Sequence, residues 1–183
     1  GIVSALTDDS SKAQVDNYWG ELAYDLKLTD DISTNLKLYY DYFEQDPTMK
    51  IYPNGFAGLY PNGMVGKPLA KNRTIGGELQ ADWDVFKGNH LIAGFSFEEM
   101  RQYDVRQLAN FNPLTGAPLS SVQEVANWNK DATRQIVAAY LQDEWQLLEQ
   151  VSLTAGVRYD HYSDFGDTFN PRIGLVWSIL ENL

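Results

Sequence analysis

Several acidic residues are spaced closely enough to suggest catalytic chemistry. The pair Asp82 and Asp84 has the composition of the carboxylate pairs that cleave glycosidic bonds. A second pair, Glu98 and Glu99, follows, and the tripeptide Asp-Phe-Gly at 164–166 has the letters that hold magnesium in protein kinases. No nucleophile–base arrangement is legible, and no glycine-rich strand and turn accompanies the tripeptide. The sequence therefore predicts no enzyme activity, no catalytic residue and no cofactor.

Metal-binding side chains are few. The chain has two histidines, His90 and His161, and no cysteine. The strands assigned below place the two histidines near opposite ends of a sheet, so they are not expected to share a metal ion. The lack of cysteine excludes disulfides, thiol catalysis and cysteine-based zinc sites within this chain. A formal net charge of −11 argues against nucleic acid as a partner, because a phosphate backbone needs a basic surface.

Hydrophobicity that alternates with a period of two dominates the chain. In the segment 151–162, for instance, Leu153 and Val157 share one face, while Thr154 lies on the other. Such alternation is typical of strands with one apolar and one polar face. No run of about 18 apolar residues is present, so no membrane-spanning helix is expected. The predicted strands are residues 17–28, 32–44, 73–85, 91–103, 134–147, 151–162 and 172–180.

Short and long connections alternate between these strands. In chain order they are residues 29–31, 45–72, 86–90, 104–133, 148–150 and 163–171. All the tight turns therefore fall at one end of the sheet. Two loops as long as the second and fourth connections count against a compact soluble domain. Short periplasmic turns and long extracellular loops are instead typical of outer-membrane barrels.

The register of one hairpin follows from its two faces. A three-residue loop at 148–150 keeps apolar residues opposite apolar residues, whereas a two-residue loop would mix the faces. The expected pairs are Leu147 with Val151, Trp145 with Leu153, Leu141 with Val157 and Glu144 with Thr154. Asp143 is a misfit on the apolar face, and a bulge there would turn it inward.

The strand lengths suit a bilayer. The segment from Val151 to Tyr159 is about 26 Å long at ~3.3 Å per residue. At a strand tilt of ~40° it covers about 20 Å along the membrane normal, which is close to the height of about 25 Å of the apolar band in outer-membrane barrels. Tyrosine clusters at 39–43 and 158–162 are expected at the outer edge of the membrane. Trp83 and Trp145, close to tight turns, are expected at the inner edge.

The segment from Ala138 to Trp177 resembles the barrel domain of TonB-dependent outer-membrane receptors. The resemblance lies in a YxQDEW strand at 140–145, a tight turn, an LTxGxRYD strand at 153–160 and the motif NPRxGLxW at 170–177. It implies a barrel of about 22 strands that is plugged by an N-terminal domain. It also implies import of a scarce ligand, such as an iron–siderophore complex or cobalamin, with energy delivered by TonB.

The chain differs from whole members of that family. It contains no plug and no TonB box, and its end at 181–183 resembles a turn before a further strand. We therefore interpret residues 1–183 as part of a barrel domain: an all-β, antiparallel meander of about seven long strands. The implied partners are outer-membrane lipid, the plug domain and TonB of the parent protein, and a metal-chelate or vitamin ligand. The implied location is the outer membrane of a Gram-negative bacterium.

Candidate site residues fall into two groups. Alternation places polar residues on the luminal face, where they would line the wall that contacts the plug: Glu78, Asp82, Asp84, Glu144, Arg158 and Arg172. Arg158 and Arg172 are candidates for salt bridges with the acidic members. The long loops carry aromatic residues and arginine, which are common in recognition surfaces: Tyr52, Phe56, Tyr60, Arg106, Phe111 and Trp128.

Two other interpretations stay open from the residues alone. In a soluble or structural β-sandwich-like binding module, the apolar faces would pack against each other rather than against lipid. A small autonomous outer-membrane pore would use the same alternating strands, but bacterial single-chain barrels have an even number of strands.

Overall fold

The computed structural model describes residues 11–179, which form eight strands and no helix. The strands are β1 (Lys12–Lys27), β2 (Ile32–Tyr52), β3 (Met64–Phe86), β4 (Asn89–Phe111), β5 (Pro118–Glu124), β6 (Ala132–Leu148), β7 (Val151–Tyr162) and β8 (Gly166–Trp177). A search of this part of the chain for a helix long and apolar enough to cross a membrane finds none.

The strands form one sheet in the order β1-β2-β3-β4-β6-β7-β8, and β5 pairs with β4 off this path. Neighbours in the sheet are almost always neighbours in sequence, which is the topology of a meander. The predicted all-β antiparallel meander is confirmed. Within residues 11–179, β1 and β8 end the path and do not pair with each other.

The chain divides into two compact units. Of the described residues, the loop unit comprises 11–18, 41–73 and 101–133, and the strand unit comprises 19–40, 74–100 and 134–179.

The predicted long loops are largely strand, and eight strands form where about seven were expected. β2 continues to Tyr52, β3 begins at Met64 and β4 continues to Phe111, while β5 lies within the predicted loop 104–133. The predicted ends were set where the apolar alternation stops. Backbone pairing between neighbouring strands does not need an apolar face, so the ladders continue beyond that point.

The last connection is also shorter than predicted. β7 and β8 pair through Tyr162 and Gly166, so β8 begins before residue 172 and only Ser163–Phe165 link the strands. β8 ends at Trp177, and Leu180, the end of the predicted strand, lies outside the described residues.

The β6–β7 register matches the prediction except beside the turn. The structure pairs Trp145 with Leu153, Leu141 with Val157 and Glu144 with Thr154, as expected. It pairs Leu148, not Leu147, with Val151. The turn therefore has two residues, and an irregularity between Gln146 and Leu148 absorbs the extra one, which preserves both faces.

The predicted bulge at Asp143 is wrong. Asp143 pairs regularly with Ala155 and stays on the apolar face. The side-chain amide of Asn89, which is 7% exposed, donates a hydrogen bond to its carboxylate. A local polar partner on the neighbouring strand, rather than a change of direction, satisfies this carboxylate.

The apolar face has little cover within the described chain. Tyr60, Ala109 and Ala138 are the buried apolar residues of the described part. On β8, by contrast, Ile173 is 80% exposed and Leu175 is 65% exposed. Leu175 lies opposite Leu153 of β7, which is half-buried and pairs in turn with Trp145 of β6, so apolar residues form a continuous stripe across these strands. A stripe of this kind calls for an external apolar partner.

We expect Leu153→Arg to hinder assembly of the full-length protein into a membrane, because it places a charge on the apolar face at a cost of about 2–4 kcal/mol near the bilayer midplane. Thr154→Arg, one residue away on the polar face, is the matched control and should assemble nearly normally. The measurement is the fraction of each variant that is recovered folded in the outer membrane. Equal recovery of the two variants would reverse the assignment of the faces.

Candidate functional site

Tyr39 of β2 crosses a glycine on the polar face of the strand unit. Its ring lies over Gly76 of β3, where a methyl group would overlap the ring. Beyond the glycine, the Tyr39 hydroxyl donates a hydrogen bond of 2.6 Å to Glu98 Oε2 of β4. Only a residue without a side chain permits such a close approach of ring and backbone. One tyrosine thus connects three strands.

A second tyrosine repeats this arrangement from the other side. Tyr140 of β6 lies over Gly94 of β4, where an added methyl group would again overlap the ring. Its hydroxyl lies 2.7 Å from Glu78 Oε1 and 2.8 Å from Gln80 Oε1, both on β3. The two tyrosines therefore reach into β3 and β4 from opposite neighbours, and Glu78, a predicted luminal residue, is one of their acceptors.

The aspartates of the predicted luminal group gather around a histidine. His90 Nδ1 lies 2.7 Å from Asp84 Oδ1, and His90 Nε2 lies 3.5 Å from Asp82 Oδ1. Glu144 accepts a hydrogen bond of 2.5 Å from Gln142 and lines the same cavity of about 700 Å³ as Asp84 and His90. The pair that resembled a glycosidase dyad is thus engaged by an imidazole.

The two predicted luminal arginines have other contacts than the expected carboxylates. Arg158 Nε lies 2.8 Å from Asp160 Oδ1, and Asp160 is 4% exposed. The Arg158 guanidinium also lies 5.7 Å from the centre of the Tyr140 ring, a cation–π contact. Arg172 pairs with Gly156 across β7 and β8, and its side chain lies against that glycine.

Among residues 11–179, no group of three or more histidine, aspartate or glutamate side chains is arranged to hold a metal ion.

The Asp-Phe-Gly tripeptide belongs to the turn between β7 and β8. Asp164 Oδ2 accepts hydrogen bonds from Arg134 Nε at 2.8 Å and Nη2 at 2.6 Å. This bonding holds the pKa of the Asp164 carboxyl below its ordinary value. Phe165 stacks on Tyr162 with ring centres 4.1 Å apart, and Gly166 has a φ of 93°. The Asp164 carboxylate, the Phe165 ring and Gly166 all stabilise the turn.

In the loop unit, three of the six predicted recognition residues form one aromatic cluster. Tyr52 and Phe56 stack with ring centres 3.9 Å apart and planes at 4°, and Phe56 lies 6.4 Å from Tyr60. Tyr60 is 4% exposed, and its hydroxyl donates a hydrogen bond to the carbonyl oxygen of Gly116. Tyr60 therefore anchors its loop, while Tyr52 and Phe56 retain more accessible surface.

Arg106 lies in a charged group. Its Nε is 2.9 Å from Asp104 Oδ1, and Lys71 Nζ is 3.3 Å from Asp104 Oδ2. The hydrogen bond to Asp104, with the charge of Glu44, raises the pKa of Lys71. Asp104 has a φ of 54°, an uncommon left-handed conformation for a residue other than glycine. The charge of Arg106 is thus largely balanced within the unit.

Phe111 and Trp128, the other predicted loop residues, line a separate cleft of about 200 Å³ in the loop unit. The sequence did not predict the contacts of Tyr39 and Tyr140 with Gly76 and Gly94, and it placed Tyr39 only in a tyrosine cluster at the outer edge of the membrane. These residues could have been found from the sequence as tyrosines or glycines at polar-face positions of strands with alternating hydrophobicity.

Comparison with known proteins identifies relatives of the chain. The family model described as TonB dependent receptor-like, beta-barrel matches residues 3–183. The chain is 32% identical over 105 residues to the iron-regulated outer membrane virulence protein of Vibrio cholerae serotype O1. That match covers 56% of this chain and 14% of the relative, so the chain spans a small part of the relative's length.

Solved structures share the fold at low sequence identity. The copper transporter OprC superimposes with a TM-score of 0.61 and 17% identity, over 92% of this chain and 28% of that protein. The ferric citrate transporter FecA in its unliganded form gives a TM-score of 0.58 and 11% identity, over 92% of this chain and 26% of that protein.

We expect Gly94→Ala to lower the stability of the full-length protein by about 1–3 kcal/mol, since the added methyl group forces the Tyr140 ring away from Glu78 and Gln80. Tyr140→Phe keeps the ring and removes the hydroxyl, so it loses only the charge-assisted hydrogen bond to Glu78, at a cost of about 1.5–3 kcal/mol. The temperature at which the folded band disappears on a heat-modifiability gel measures both.

Gly20→Ala is the matched control for this test. Gly20 also belongs to the strand unit, and a methyl group there would have no atom within 4 Å. Its melting temperature should stay at or above that of the wild type. The same melting temperature for Gly94→Ala and Gly20→Ala would contradict a packing role for the tyrosine–glycine contact.

Proposed function

The chain belongs to the family of TonB-dependent receptor-like β-barrels, and from this we propose that it is part of an outer-membrane receptor that imports a scarce ligand. The match of the family model to residues 3–183 is the observation that carries the proposal. The chain's place is the outer membrane of a Gram-negative bacterium, as for its relatives. The family is one of receptors and transporters, and we propose no enzymatic role.

The distribution of apolar residues supports a lipid-facing sheet over a β-sandwich. In a sandwich, the apolar face would be covered by a second sheet of the same domain. Here the eight strands belong to a single sheet, and large apolar side chains on one face, such as Ile173 and Leu175, stay exposed. Bilayer lipid is the apolar partner that fits strands alternating in this way.

We propose that the ligand is a metal complex, either an iron–siderophore complex or cobalamin. One relative is named for its regulation by iron, and two proteins of the same fold are named as transporters of copper and of ferric citrate. Import would need the plug domain and TonB as partners of the whole receptor.

The polar face and the loop unit have separate roles in this proposal. The polar face would form the luminal wall beside the plug, with the candidates Glu78, Asp82, Asp84, Glu144, Arg158 and Arg172. Tyr39 and Tyr140 hold β3 and β4 of that wall in place. In the loop unit, Tyr52, Phe56, Arg106, Phe111 and Trp128 are the candidates for ligand contact, with Tyr60 as their support.

The proposal predicts that a strain lacking the gene for the full-length receptor loses uptake of one metal complex. Uptake of radiolabelled iron–siderophore complexes, copper and cobalamin would be compared in the deletion strain, the complemented strain and a complemented strain without TonB. Complementation should restore uptake of one compound, and only when TonB is present. Unchanged uptake of every compound, or absence of the protein from outer-membrane fractions, would contradict it.

A further inference from the structure

The Trp128 cleft lies in the loop unit, between the end of β4 and the segment that follows β5. We define it by six of its lining residues: Gln107, Phe111, Val125, Asn127, Trp128 and Asn129. Its volume of about 200 Å³ is that of roughly seven water molecules at ~30 Å³ each. Sites for drug-sized ligands run from about 300 Å³ upward. The cleft therefore has room for a single small ring and not for a whole metal chelate.

Backbone and side-chain hydrogen bonds fix the segment that carries Trp128. Val125 N donates to Gln107 O at 2.9 Å, and Asn129 N donates to Asn127 Oδ1 at 3.1 Å. The Asn127 amide nitrogen donates to the carbonyl of Val105 at 3.2 Å. The segment is thus tied to β4 and closed on itself, so the backbone that carries Trp128 is fixed before any ligand arrives.

Trp128 nevertheless holds its ring in solvent. The residue is 67% exposed, although large aromatic side chains are usually well buried. A tryptophan ring has only two side-chain torsions, so on a fixed backbone it offers a flat apolar surface to a ligand at little cost in conformational entropy. This is the arrangement of a stacking platform for the apolar face of a ligand.

The lining carries no formal charge. All six defining residues are neutral, and the guanidinium of Arg106, next to Gln107, lies 2.9 Å from Asp104. An anionic ligand would therefore find no free cation in the cleft, and a cationic ligand would find no carboxylate. The amide of Asn129 supplies donors and an acceptor, and the amide oxygen of Gln107, whose nitrogen donates to the carbonyl of Leu108 at 3.4 Å, supplies a further acceptor. The cleft suits a neutral ligand with hydroxyl groups.

We propose that the Trp128 cleft binds a neutral sugar ring. A pyranose has one face of C–H groups that can stack on the indole and an equatorial rim of hydroxyl groups that the amides can bind. It also matches the size and neutrality of the cleft. The sugar is either free or the terminal residue of a longer glycan, which present the same ring. This inference goes beyond the metal-complex proposal and does not depend on it.

Saturation-transfer NMR on the full-length receptor tests this inference. The receptor is held in a detergent without a sugar headgroup, so that no detergent sugar competes. The probes are the methyl glycosides of glucose, galactose and mannose, with catechol as a flat aromatic and benzoate as an anion. At least one methyl glycoside should receive saturation, strongest at the protons of its apolar face.

Variants locate the binding. Trp128→Ala should abolish the transfer and Trp128→Phe should retain part of it, because a smaller aromatic surface remains. Leu114→Ala is the control, since Leu114 is 74% exposed in the β4–β5 connection of the same unit and does not line the cleft. It should leave the transfer unchanged, and all variants should show the wild-type heat-modifiability.

The outcomes separate this inference from its alternatives. Transfer to no glycoside, equal transfer in Trp128→Ala, or a stronger Trp128-dependent signal from catechol or benzoate would overturn it. A glycan fragment that binds at least tenfold more tightly than its terminal methyl glycoside identifies a glycan as the source, and equal binding identifies a free sugar. Metal-complex uptake is measured separately, so either proposal can fail while the other stands.

Discussion

Few apolar side chains of this sheet are fully buried in the described part of the chain, and the other features follow from that constraint. Among residues 11–179, the buried apolar side chains are Tyr60, Ala109 and Ala138. Hydrophobic burial inside the chain cannot hold eight strands in register. The strands are held in register by the backbone hydrogen bonds between them, by side-chain contacts on the polar face and by an apolar medium outside the molecule. In the proposed receptor, a membrane would supply that medium and, by removing water from the backbone, would favour fully paired strands.

The polar face compensates for the missing core by using glycine and tyrosine together. Gly76 and Gly94 remove side chains where neighbouring tyrosines must cross the sheet. The hydroxyls of Tyr39 and Tyr140 then reach carboxylates on β4 and β3, respectively. Each tyrosine thereby combines close packing with a charge-assisted hydrogen bond, which is stronger than a neutral one. The face that would line the lumen is thus ordered by its own side chains.

The sequence predicted the features that depend on alternation within a strand or across a tight turn. The antiparallel meander is such a feature, and so is the β6–β7 register, because a one-residue slip would have mixed the two faces. The pairing of Leu148 with Val151 was missed, since a bulge beside the turn leaves the alternation of both strands intact. Strand ends near Tyr52 and Met64 were missed because the apolar signal stops before the backbone pairing does.

Less of the candidate site than of the fold could be predicted from the sequence. The contact between Tyr140 and Glu78 joins residues 62 positions apart across three strands, so it depends on registers that the sequence does not reveal. Tyrosine is common in recognition surfaces, so Tyr60 was predicted as a ligand contact, but it is buried and anchors its loop instead.

The most direct test of the central claim, that one face of this sheet meets lipid, is site-directed spin labelling of the full-length receptor in outer-membrane vesicles. Labels at single cysteines placed along β7 from 151 to 159 would be probed with oxygen, which partitions into lipid, and with a polar nickel chelate. If one face meets lipid, oxygen accessibility will alternate with a period of two and be high at 153 and 157 and low at 152 and 154. The same accessibility at all positions, or high oxygen accessibility at 152 and 154, would contradict it.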